Sequence, residues 1–206
     1  MKKIITTLSF ILINVLTFGQ LDSVLTNKID SMYQIDQKYR LLATDISNQL
    51  IDSISIEVAD SLVRFVDAAN YIEIVKIFEE HGFLGYNKVE KNGSLKFWLL
   101  VQHADLHPDF QEKVLNKMKI EAENKNASWK NYAYLIDRVL VNTGRPQIYG
   151  SQMEINSEGT SFQPKLLDEP KKVNKRRKKV GLKSIESYIK QMNKIYYGYI
   201  INAEKL

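Results

Sequence analysis

The chain has 206 residues, no cysteine and a formal charge of +5. That length suits one domain of ordinary size with a real core. The missing cysteines exclude a disulfide framework, thiolate metal sites and a lipid-modified N-terminal Cys, so stability must come from packing.

The first nineteen residues read as a leader rather than as part of the fold. Lys2 and Lys3 precede a mostly apolar run over 4–18, shorter than the ~20 residues a membrane-spanning helix needs. Thr17 and Gly19 are small enough for the last positions before cleavage, which would leave Gln20 as the new terminus. The expectation is a signal peptide over 1–19 and an exported protein, periplasmic or secreted, with no membrane span after cleavage. Removing the two leader lysines from 29 bases and 24 acids lowers the charge from +5 to +3. Residues 171–194 hold ten Lys and Arg against the single acid Glu186, so the remainder of the mature chain is acidic. A basic segment on an acidic body can fold back on it.

Residues 21–42 place Leu21, Leu25, Ile29 and Met32 at helical spacing, and 46–65 do the same with Ile46, Leu50, Ile54, Val58 and Leu62. A break over 67–70 separates a third helix over 71–81, closed by His81 and Gly82. Residues 82–93 read as a loop. The apolar run 95–101 is too dense for one stripe of a surface helix and should be buried. Pro108 ends that helix near Leu106 and starts another, whose Phe110, Val114, Met118 and Ala122 recur every four residues. The helix over 128–142 begins on a Ser128 cap and ends at Gly144, with Trp129, Tyr132, Leu135, Ile136 and Val139 inward and Tyr134, Asp137 and Arg138 on its other face. Residues 147–155 and 160–167, joined through 156–159, form a β-hairpin. A short basic helix over 173–180 and a last amphipathic one from 184 to about 197 complete a mainly α, compact helical domain over 20–206 with one hairpin.

The succession LLVQHAD, a Pro-led helix with FQ, YAYLIDRVLV, G-RPQ-YG-SQ and RRKKVGL closely resembles the domain of unknown function 6624 family across roughly 74–192. The resemblance implies an exported bacterial member of that fold and supplies no activity. The family pattern places an Asp before the Pro where this chain has His107, so His107 is not carried over as a functional residue.

His103 with Asp105 is the strongest acid–base candidate, because a carboxylate can orient an imidazole that titrates near neutrality. The two do not face each other along a helix, so Asp137 is the other candidate orienting acid. His103 and His107 at i, i+4 would make a zinc pair only on a continuous helix, which Pro108 interrupts, so no metal is expected. Arg138 and Arg145 can hold an anion. Gln147, Tyr149 and Gln152 either bind a ligand or tie the hairpin to the domain. No nucleophile motif, phosphate-cradling glycine loop or cofactor motif is present. The run 175–179 lacks stacking aromatics, so it reads as a solvated helix, and no nucleic acid is expected as partner. Two classes remain: a binding or structural module built on a buried polar network, and a small extracytoplasmic hydrolase in which His103 is the base, Asp105 or Asp137 orients it and Arg145 holds an anion. In either class His103, one of those acids and Arg145 should meet at the base of the hairpin.

Overall fold

The computed structural model describes residues 21–51 and 53–203, with side chains as far as 195. The leader expected over 1–19 lies outside the described residues. The fold is mainly α with one two-stranded antiparallel hairpin.

Helix α1 runs Ser23–Ser47, capped by the Asp22 carboxylate on Leu25 N at 2.8 Å. Helix α2 spans Ile56–His81 without interruption, so the break expected over 67–70 is absent. Asp67 and Asn70 flank two alanines, the best helix formers, and neither Gly nor Pro stands there to stop the helix. Instead α1 ends at Ser47 and α2 begins at Ile56, where Ser55 caps the new start. Gly82, at φ 69°, ends α2 as expected.

Helix α3, Tyr86–Gln102, begins inside the stretch read as loop. It bends at Val89 and Glu90, where Glu90 takes φ 58° and ψ 176°, and that bend accounts for the loop-like sequence. Gly93 follows inside the helix because a Cβ there would sit 2.8 Å from the Val89 Cβ. The run 95–101 supplies Phe97, Trp98, Leu100 and Val101 to the core, but Leu95 is 41% exposed. The helix ends at Gln102, one turn before the expected stop, with His103 as its cap residue.

Helix α4, Pro108–Glu123, buries the expected stripe of Phe110, Val114, Met118 and Ala122. Helix α5, Trp129–Asn142, is capped by Ser128 Oγ on Asn131 N at 3.3 Å. Its residues Leu135 and Val139 join Ile29, Ile74, Phe97 and Met118 in one core cluster.

Strands β1, Met153–Ile155, and β2, Phe162–Pro164, are shorter than expected and pair Glu154 with Gln163. A bridge between Gln147 and Leu167 closes the base of the ribbon. A 3₁₀ turn, Pro170–Lys172, leads to α6, Val173–Lys179, and then to α7, Ile185–Ala203. The basic helix is not simply solvated. Arg177 is 1% exposed, and its guanidinium donates to the carbonyls of Tyr149, Gly150 and Lys183.

Candidate functional site

The polar residues expected at one spot are divided among separate networks. Asp137, expected on the face of α5 opposite its apolar stripe, is fully buried, because the hairpin base packs over that face. Its carboxylate accepts the backbone N–H groups of Ile148 at 2.8 Å and of Tyr149 and Ser151 at 2.9 Å. Burial pushes its pKa up, while the backbone donors pull it down. This side chain pins a loop and orients no histidine.

Gln147 is equally buried. It donates to the carbonyls of Gln152 and Lys165, at 2.9 Å each, and accepts from Gln152 N at 2.9 Å, joining both arms of the ribbon. Arg145 lies at the surface, forking onto Glu112 at 2.5 Å and Thr143 at 2.8 Å. Tyr149, whose pKa burial pushes up, lends its carbonyl to Arg177.

Asp105 pairs with Arg138 rather than with His103. The fork is two-pronged, Nε to Oδ1 at 2.6 Å and Nη2 to Oδ2 at 2.5 Å, with Asn142 adding a third donor at 2.9 Å. Burial opposes the charged form of Asp105, but the Arg138 hydrogen bond and charge, with Asn142, hold its carboxyl below the usual value.

His103 finds its acid on another helix. Its Nδ1 lies 2.9 Å from Oδ1 of Asp36, which is 1% exposed on α1. Asp36 also accepts from Arg40 Nε at 3.1 Å and Gln37 Nε2 at 2.7 Å, and the far end of Arg40 reaches Asp67 at 2.5 Å. Burial penalises the Asp36 carboxylate, but the His103 hydrogen bond, the charges of His103 and Arg40, and Gln37 together hold its pKa below the ordinary value. At Asp67 burial prevails over Arg40, and the pKa rises. Ligand atoms of Asp36, Asp67 and His103 lie within 4.8 Å of one another, a donor set able to hold a cation. The Arg40 guanidinium bridges the two acids and already supplies positive charge there. His107, one turn further, stacks flat on Tyr71 at 3.4 Å between ring centroids.

Asp36 and Arg40 escaped the sequence reading although a signal existed. The buried stripe of α1 runs Leu25, Ile29 and then Asp36, an acid standing where an apolar residue is due.

A cleft of ≈ 430 Å³ opens between α3, α5, the hairpin and α7. Trp98, Tyr134, Phe162 and Tyr188 give it aromatic walls, Met153 and Met192 add apolar surface, and Gln102, Arg138, Ser151 and Gln152 supply polar groups. Of the residues singled out from sequence, Arg138 and Gln152 line it. The Tyr188 hydroxyl donates to the Ser151 carbonyl at 3.2 Å, and burial, then Tyr134, push its pKa up to about 12. The Trp98 indole N–H is buried without a partner. Trp98 came from a run expected to be buried, Tyr134 from the polar face of α5, Phe162 from the hairpin and Tyr188 from the last helix, so only the fold reveals that they enclose space together.

A helical scaffold carrying a hairpin-roofed cleft, with its acid–base residues in closed networks, is the class these observations define. The chain belongs to a family of unknown function (DUF6624), whose model matches residues 24–201. No curated protein and no solved structure matches it.

Proposed function

We propose that the protein is an exported binding module that takes a small ligand with a flat apolar body and an acceptor oxygen. The single observation carrying this reading is the aromatic cleft rimmed by Arg138, Gln102 and Gln152. Sites of this kind bury an apolar body and fix its orientation with a few polar groups. Asp105 occupies Nε and Nη2 of Arg138, leaving Nη1 as the donor to a ligand oxygen. Asp137 and Gln147 serve the architecture that roofs the cleft, while Arg145 pairs with Glu112 at the surface. Export rests on the basic start and short apolar run of the sequence.

Calorimetric titration with naphthoate, and with its uncharged amide, tests the reading. Both should bind one site. Arg138→Met should weaken either by about tenfold, the loss of one hydrogen bond to a charged donor. Met192→Trp, which fills the cleft, should abolish binding. Absence of saturable binding by either probe, or binding untouched by both changes, would refute the proposal.

A second reading, a small extracytoplasmic hydrolase, draws on one observation. The Asp36 carboxylate holds His103 by Nδ1, as an orienting acid holds a base, and no described residue takes Nε2. On that reading His103→Ala would remove turnover of an ester or phosphoester panel while leaving naphthoate affinity unchanged.

A further inference from the structure

Helix α2 carries two apolar faces, and the core uses one. Ala59, Val66, Ile74 and Ile77 are buried, whereas Val58, Phe65 and Ile72 stand 49%, 73% and 56% exposed. The exposed set is regular. Val58, half-buried Leu62, Phe65, exposed Ala69 and Ile72 alternate spacings of four and three, and Lys76 continues the series. This is the a/d pattern of a coiled-coil seam, about 27 Å long at 1.5 Å per residue. Ser61 and Ala68 beside it are small and exposed, leaving room for a second helix to approach closely.

We propose that this stripe is a dimer interface on which a second copy of the chain lies antiparallel, with the two-fold axis near residue 67. The pattern of sizes selects the occupant and its direction. In that register Phe65 faces the partner's Ala69, a large side chain over a small one, and Leu62 faces the partner's Ile72. Val58 meets the stem of the partner's Lys76, whose exposed ammonium, resting 2.8 Å from Glu73 of its own helix, can turn to the Glu57 carboxylate across the seam. Glu57 and Lys76 are both exposed, so the charges at the two ends of the seam are complementary when the helices run in opposite directions. A parallel pair would instead stack Phe65 on Phe65 and Lys76 on Lys76, pairing bulk with bulk and like with like charge. The two-fold repeats every contact, as an isologous interface requires.

Sedimentation velocity of the purified protein at about 100 µM, well above the Kd of a specific dimer, should give a dimer. Phe65→Glu should give a monomer with the wild-type circular dichroism spectrum, since residue 65 is outside the core. Ala69→Phe, which fills the space Phe65 needs, should do the same by steric means. Because the chain has no cysteine, direction can be read by cross-linking. The double variant Val58→Cys, Lys76→Cys should oxidise to a covalent dimer, its two thiols being too far apart to close within one chain, while Val58→Cys alone should not. A monomeric wild type, a dimer that survives both Phe65→Glu and Ala69→Phe, or efficient cross-linking by Val58→Cys alone would overturn the proposal.

Discussion

Asp36 concentrates the electrostatics of the helical core in one carboxylate. It is 1% exposed, yet three side chains from two helices donate to it, and its pKa lies below the ordinary 3.8 despite burial. A carboxyl with a depressed folded pKa binds fewer protons folded than unfolded. Its contribution is therefore present above the unfolded value and is lost as pH falls through the folded one. Asp67 and Asp137, raised by burial, act with the opposite sign. Asp36→Asn keeps the shape and removes the charge, so it should cost about 2 kcal/mol at neutral pH, the worth of hydrogen bonds to a charged group. Its stability should also fall less steeply than the wild type's from about pH 5 to about pH 3. Urea unfolding across that range checks both, and parallel curves for the two proteins would remove Asp36 from the acid transition.

Local signals located the helices well where caps or prolines mark them and poorly where conformation is set from outside. Pro108 and the Ser128 cap place α4 and α5 in both sequence and structure. The Asp67–Asn70 stretch looked like a break because polar residues interrupt the apolar stripe, but Asp67 points at Arg40 on another helix, which no local pattern records. The start of α3 was hidden by a bend whose Glu90 sits at φ 58°, ψ 176°, a region costing a non-glycine residue about 1–3 kcal/mol. Glycine enters that region freely and costs about 0.5–1 kcal/mol in chain entropy. Glu90→Gly should therefore raise stability by about 1 kcal/mol, moving the urea midpoint upward. Glu90→Ala, equally short of the carboxylate and still strained, should bring no such gain. Equal effects of the two would locate the change in the side chain rather than the backbone.

Across the whole molecule, the residues legible as candidates were gathered by the fold for a different purpose. His103, Asp105, Asp137 and Arg145 were each visible, but their partners Asp36, Arg138, the 148–151 backbone and Glu112 are set by tertiary packing. The cleft was invisible because its walls come from α3, α5, the hairpin and α7 together. The last two are tied to each other largely by Arg177 of α6. Its Nε donates to Lys183 O at 2.6 Å and its Nη1 to Tyr149 O at 2.7 Å, while the guanidinium lies 5.0 Å from the Tyr188 ring centroid. Burial lowers its pKa, against which the neighbouring Tyr134, Tyr188, Asp137 and Glu186 favour the charge. Lysine cannot span those carbonyls with one ammonium. Arg177→Lys should therefore weaken the attachment by about 2–4 kcal/mol, the cost of losing charge-assisted bonds to buried carbonyls. The loss should be local, because the core cluster of α1 to α5 does not include Arg177. Hydrogen exchange should rise at 147–192 while amides of α3 and α4 keep their protection. Naphthoate affinity should fall with it, since Phe162, Tyr188 and Met192 form that side of the cleft. Protection lost evenly along the chain would show instead that helices and roof open as one unit, with Arg177 a brace for the entire fold.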